Sequence, residues 1–370
     1  MARTVDFLPF ATNVGANVEG QSSYVIEPIR LTGHQAGVAK SAVINKSLRQ
    51  HSMMTAALAN LLSEALDVDV LDDGDVIALK NMLQDVLMGG RQTIMTTDLT
   101  LYVRTTGSDV NDGLTPTTAF ATPQAAVNNA YDNLQLNGHA LTIDIGPGTF
   151  GSMSLGAALV GQRGDYALWF VGAGKGSTTI SSPAQACIGM SNGAAGSMTG
   201  MRLTGPTGSG WGDGMGIACH NCTARAYDID FGPMSTTGQA FGNQVHSAMG
   251  ASITLGYIDQ DYYFTVSGGG ARCLAASGGA LLQLWNCKFT LTGTPNYLDS
   301  FAISAANSTI QSNNVPPGTG TVFSGAATGR RYAVDGTSTI TTALRNLDPN
   351  FYPGSVGGSV VNSNLQYNYT

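Results

Sequence analysis

Residues 101–127 read LYVRTTGSDVNDGLTPTTAFATPQAAV, and within them Gly107-Ser108-Asp109-Val110-Asn111-Asp112-Gly113 gathers two carboxylates, an amide and two glycines. One reading is a calcium loop. With Gly113 at the sixth position, Val110 would fall at the third and Ala119 at the twelfth, so too few oxygens arrive in register. Short polar side chains between glycines suit a tight turn instead, because they hydrogen-bond their own backbone. Just downstream, Thr122 is a natural N-cap and Pro123 a natural first helical residue, which predicts a helix near 122–134. The stretch therefore reads as strand, turn and capping helix.

Beyond this helix the chain alternates in short strands that stop at glycines. The stops fall at Gly146, Gly172, Gly205, Gly232, Gly268 and Gly293, spaced by 26, 33, 27, 36 and 25 residues. A variable repeat of this length, built of small residues and sharp turns, suits the coils of a parallel β-helix. Alternation places Cys222, Ala224, Ile229 and Phe231 inward in one coil, and Leu282, Leu284, Cys287, Phe289 and Leu291 in another. A jelly roll or sandwich is the rival, but it calls for turns every ~8–12 residues.

The first 90 residues differ in kind. Of 48 glycines, 43 lie after residue 88, whereas all three glutamates (Glu19, Glu27, Glu64) lie before it. Met54, Leu58, Leu61, Leu62 and Ala65 recur at helical spacing after a start near Asn45. A second helix follows Asp72-Asp73-Gly74, with Asp75 as N-cap. The DVDVLDDGD stretch (67–75) fails as a calcium loop because Leu71 and Lys80 fall where oxygens must be. These helices are expected to pack on something further, such as their own copies.

Composition narrows the function. A net charge of −7, with no basic stripe, argues against nucleic-acid binding. No apolar run approaches the ~18–20 residues that span a bilayer, so no membrane insertion is expected. The start lacks the apolar core of a secretory signal, which implies folding in a cytoplasm. Five cysteines, with Cys219-His220-Asn221-Cys222 the sole CxxC, supply no second pair for a structural zinc. They read as inert core fillers rather than metal or redox groups. No cofactor and no metal is expected.

Two resemblances follow from particular residues. Tyr102-Val103 with Gly107, Asp109 and Asn111-Asp112-Gly113, then Phe120-Ala121-Thr122-Pro123-Gln124-Ala125, resembles the leading coil of pectate-lyase-like right-handed β-helices, as does Gly146-Pro147-Gly148-Thr149-Phe150. Leu8-Pro9-Phe10-Ala11, Leu31-Thr32-Gly33-His34-Gln35-Ala36-Gly37-Val38-Ala39 and Asn45-Lys46-Ser47-Leu48-Arg49-Gln50 are similar to the start of phage and prophage tail-fibre proteins. Together they imply a mainly β protein, a right-handed parallel β-helix (solenoid) with a helical N-terminal anchor region, assembled as a homotrimer on a virion tail. The expected division is an attachment region at 1–90, a β-helix at 91–340 and an intersubunit tail at 341–370. The implied partners are phage baseplate or tail proteins through residues 1–90, and a host surface glycan or receptor.

Fold alone does not decide activity. A glycan-cleaving tailspike needs two carboxylates ~5–9.5 Å apart. Asp228 with Asp230, or Asp259 with Asp261, would stand about 6–7 Å apart on one outward strand face. His220, His246 and Arg225 are potential neighbours. The alternative is that these aspartates are the solvated half of alternating strands. Tyr257, Tyr262, Tyr263 and Trp285 are candidates for stacking on sugar rings, or for subunit contacts. The expected function is thus a non-enzymatic tail fibre that attaches to the host surface or carries a further fibre protein. A polysaccharide depolymerase and a bacterial surface adhesin with a β-helical stalk are the alternatives. About six to eight coils fit the chain, which is short for a processive depolymerase.

Overall fold

The computed structural model describes residues 3–33, 36–37, 39–88, 92–182, 186–205, 214–234, 242–313, 320–335, 337–342 and 350–361. The chain divides into two compact units, Met1–Gln92 and Thr93–Thr370.

The first unit holds helices at Gln21–Ile26, Ile29–Thr32, Ser41–Leu66 and Val76–Met88. The long helix begins four residues before the expected start and stops where Asp67 turns left-handed at φ 57°. Asp75 caps the next helix, its Oδ1 accepting from the backbone N–H of Ile77 (3.0 Å) and Ala78 (2.9 Å). Ala59 and Leu62 pack with Val70, Leu79, Met82, Leu83 and Val86 in a small core. The apolar residues read as one helix face divide into two. Leu62 faces that core, whereas Met54, Leu58 and Leu61 are exposed.

The second unit is a parallel β-solenoid of about six turns. A typical coil contributes the strands Ser252–Gly256, Tyr262–Val266 and Gly270–Ser277. Each strand pairs in parallel with its equivalents in the coils before and after. On one side Ile143, Phe170, Met198, Ala226, Leu255 and Leu284 stack in register, all fully buried. On another, Ile188, Ile217, Val245, Leu274 and Ala302 do the same. Phe231, Phe264, Phe289 and Phe323 form a third column, with ring centroids 6.2, 5.0 and 4.8 Å apart. Each such aromatic pair contributes about 0.5–1.5 kcal/mol beyond its burial.

The residues expected inward in two coils are all buried. Their spacing also explains the corners. Ala224 and Ala226 face in, but so do Ile229 and Phe231, a change of parity that strict alternation forbids. Asp228 absorbs it by adopting φ 49°, and Asn286 does the same between Leu284 and Cys287. At the equivalent corner one coil earlier stands Gly200, φ 69°.

Three of the cysteines, Cys187, Cys273 and Cys287, are free and buried, as core fillers should be. Burial pushes the Cys187 thiol up to about 12. Cys219 and Cys222 depart from the expectation of five inert thiols. The left-handed corner at Asn221 folds the chain back and brings their Cα atoms to 5.6 Å, and their sulfurs are bonded.

The opening stretch is a strand (Leu99–Val103), a turn and a helix (Pro123–Asn133). Its carboxylates are taken up by backbone N–H groups and threonine hydroxyls of the turn and helix start. Asp109 Oδ1 accepts from the N–H of Ala121 (2.9 Å) and Thr122 (2.8 Å), and its Oδ2 accepts from the Thr122 hydroxyl. Asp112 accepts from the Thr118 hydroxyl (2.6 Å), which holds its carboxyl below the usual range. Thr122 caps the helix through the Ala125 N–H. Ala126, Val127 and Ala130 then join the core that Leu101 and Ile143 begin.

At the other end, Tyr352 is fully buried beside Phe301 and Phe323, and Ser359–Val361 pairs with Thr328–Asp335. These parts of the expected intersubunit tail serve their own chain. Residues 343–349 and 362–370 lie outside the described residues, as do His34, Gln35 and Val38 of the N-terminal resemblance.

Gly113 tests the turn. Its φ is 70°, and an added Cβ would lie 2.1 Å from the Phe120 ring. Gly113→Ala should therefore lower the stability of the solenoid by about 1–3 kcal/mol, read from the urea midpoint. Gly151→Ala, where nothing lies within 4 Å, should shift it by less than ~0.5 kcal/mol.

Candidate functional site

The outer surface of the side that carries the Ile143–Leu284 column bears a cluster assembled from four coils. Alternation that turns Phe170, Ala224 and Ala226 inward turns Trp169, Arg225 and Tyr227 outward. Cross-coil register then sets Trp169, Ser197, Arg225 and Thr254 side by side. A short 3-10 turn, Asp165–Ala167, adds Asp165 and Tyr166, and the Ser197 hydroxyl ties it to the sheet by donating to the Asp165 carbonyl (3.1 Å). The loop after Ser252–Gly256 brings Tyr257 and Asp259, and the following strand begins with Tyr262.

The rings touch in series. Tyr166 and Trp169 lie 6.0 Å apart between centroids, Trp169 and Tyr227 stack at 5.8 Å, and Tyr227 meets Tyr262 at 4.9 Å. Tyr227 is the buried floor, whereas Tyr166 and Tyr257 are exposed. The Arg225 guanidinium carbon sits 4.5 Å from the Tyr166 ring centre and 5.3 Å from that of Tyr257. Its Nε donates to the Asp165 carboxylate, and NH1 donates to the Tyr166 hydroxyl at 2.6 Å. The Tyr262 hydroxyl donates to Asp259 at 2.8 Å. Burial, then Asp259, pushes the Tyr262 phenol up to about 12, and burial with the Tyr166 contact raises Tyr227 as well. The Tyr227 and Tyr262 hydroxyls are therefore neutral donors and acceptors at physiological pH. Faces of half-exposed rings edged by hydroxyls and a carboxylate can hold a ligand with an apolar face and a hydroxylated rim.

Two of the expected sugar-stacking residues, Tyr257 and Tyr262, belong to this cluster. Tyr263 is exposed nearby, with its carbonyl accepting from Lys175 Nζ (2.8 Å), and Trp285 stands in register with Gly256. Trp169, Tyr166 and Tyr227 escape a reading of the sequence because only the register between coils brings them to Tyr257.

The aspartate pairs are not arranged as expected. Asp228 occupies the left-handed corner and pairs with Lys175 at 2.7 Å, while Asp230 lies beyond the corner, 7% exposed. Asp230 accepts from the Ser267 hydroxyl (2.8 Å) and faces Arg202 at 3.5 Å. Asp259 and Asp261 are in a loop rather than on a strand, because the chain leaves the sheet after Gly256. Asp261 faces Lys288 at 3.4 Å. Among the described residues no group of three or more His, Cys, Asp or Glu is placed to hold a metal, and no helix is long and apolar enough to cross a membrane.

The fold defines the chain as a parallel β-solenoid protein. Comparison with protein families finds no family model that matches, and comparison with curated proteins finds no matching sequence.

His220 and His246 stand on the side that carries the Ile188–Ala302 column, away from the strand that carries Asp228 and Asp230. Their rings meet edge to face at 5.8 Å, and His246 Nε2 lies 3.1 Å from the Ser277 hydroxyl. Burial first, then His220 and Arg272, push the His246 imidazole down to about 4. An unfolded histidine titrates near ~6.5, so the unfolded chain takes up this proton first. The stability associated with neutral His246 is present above pH ~6.5 and is lost as pH falls through about 4, an effect of at most about 3 kcal/mol. Urea midpoints measured from pH 7 to pH 4 should fall in the wild-type chain. The slope should be shallower in His246→Gln.

Proposed function

We propose that the chain is a structural component of a bacteriophage tail, a fibre or short tailspike that attaches to a glycan on the host surface through the aromatic cluster. In this reading residues 1–90 dock on the baseplate or tail, the solenoid is a right-handed pectate-lyase-like β-helix, and three copies assemble. The phage assignment is supported by the N-terminal motifs, and the pectate-lyase-like one by the capping-helix motif. The observation that carries attachment is the contact series Tyr166–Trp169–Tyr227–Tyr262 with Tyr257, built across successive coils on the outside of a rigid scaffold.

Binding without cleavage is favoured by the state of the carboxylates. Asp228, Asp230 and Asp261 face cations, and Asp259 accepts from a tyrosine hydroxyl. A general acid would instead need an environment that keeps its carboxyl protonated near neutral pH. The exposed Met54, Leu58 and Leu61 on the long N-terminal helix support assembly of copies.

Purified full-length protein should sediment at about three times the 38.2 kDa of one chain. It should be retained on capsular polysaccharide or lipopolysaccharide without generating new reducing ends or unsaturated sugars. A 38.2-kDa species alone would contradict assembly. Cleavage that disappears in Asp259→Asn or Asp228→Asn would establish the depolymerase instead.

A further inference from the structure

We infer that the cluster built on Trp169, Tyr227, Tyr257 and Tyr262 selects an uncharged sugar over an acidic one, an inference that rests on the glycan-attachment reading above. The argument is one of charge. An acidic sugar, whether a uronate or a sialate, needs a cation free to meet its carboxylate. Arg225 is the cation inside the cluster, and its charge is already paired with the Asp165 carboxylate. Asp165 takes its Nε–H, the Tyr166 hydroxyl takes an NH1 proton, and the rings of Tyr166 and Tyr257 lie over it. At the edge, Lys175 is held by Asp228 (2.7 Å) and the Tyr263 carbonyl (2.8 Å). Lys288 donates to the Gly320 carbonyl (2.7 Å) and faces Asp261 (3.4 Å).

Three cations thus meet four carboxylates, the fourth being Asp259, which faces no cation among the described residues. A sugar carboxylate entering here would approach the exposed Asp259 with no cation beside it to offset the like-charge repulsion. A neutral pyranose meets no such cost. Its C–H face covers the exposed rings, and its hydroxyls can donate to Asp259 and exchange hydrogen bonds with the tyrosine hydroxyls. Arg225 acts in this arrangement as a positioning residue that locks Tyr166 and Tyr257 at their spacing.

The test is a glycan panel probed with the full-length chain. It carries matched oligosaccharides with neutral hexose or N-acetylhexosamine units on one side and uronic or sialic acid in the same positions on the other. Sedimentation of each variant is run in parallel. Neutral members should bind, and their acidic counterparts should bind about tenfold or more weakly. Tyr257→Ala, at an exposed loop position, should weaken neutral binding about tenfold, the size of one aromatic contact, and Tyr257→Phe should retain it. Asp259→Asn should narrow the gap by admitting acidic members.

Equal or tighter binding of acidic members, lost in Tyr257→Ala, would overturn the selectivity while leaving glycan attachment in place. Binding to no member, or binding that Tyr257→Ala and Trp169→Phe leave untouched, would overturn both the inference and the site. A drop in sedimentation mass in Tyr257→Ala would make the cluster a subunit contact and overturn the inference.

Discussion

Each coil hydrogen-bonds in register to the coil before it, and this parallel pairing is the constraint from which the other features follow. Because Ile143, Phe170, Met198, Ala226, Leu255 and Leu284 must share one column, each coil is obliged to return to the same place after a loop of any length. The loops vary and the columns do not. The price of this arrangement is a set of sharp corners, met by glycine at 200 and by the left-handed residues Asp228 and Asn286, whose short polar side chains tolerate that conformation.

The same register composes the outer cluster. Trp169 and Tyr227 come from coils separated by more than fifty residues of chain, yet they touch because their inward neighbours stack. A stiff scaffold of this kind holds the rings before any ligand arrives, so little ordering cost is left to binding. Around the rings the three cations are each paired with a carboxylate of the protein, and Asp259 accepts from the Tyr262 hydroxyl. The surface is therefore suited to recognition by shape and hydroxyl contacts more than by long-range attraction.

Much of this was legible in the residues. Thr122-Pro123 marks the capping helix, the glycine stops mark the coils, and the buried members Cys222, Ala224, Ile229, Phe231 and Cys287 follow from alternation. Other features were not legible, for physical reasons. Alternation cannot show that Asp228 turns a corner, because aspartate also reads as an ordinary outward strand residue, and so Asp228 and Asp230 looked like a pair on one face. Nothing in 257–261 signals that the chain leaves the sheet, which moved Asp259 and Asp261 into a loop. Tyr166 and Trp169 join Tyr257 only through long-range register, and register depends on how many residues each loop absorbs. The Cys219–Cys222 bond likewise follows from the Asn221 corner rather than from the spacing of the cysteines.

Coil-to-coil register can be measured directly by cross-linking. Gln283 and Gln311 stand opposite each other on adjacent coils, whereas Thr309 is opposite Leu281, two residues off along the same outer face. In-register neighbours in a parallel sheet lie ~4.8 Å apart, within reach of a disulfide. In the full-length chain, the Gln283→Cys/Gln311→Cys pair should oxidise readily to an intrachain bond, and Gln283→Cys/Thr309→Cys should not. Preferential closure of the second pair would contradict the register, and with it both the core columns and the outer cluster they assemble.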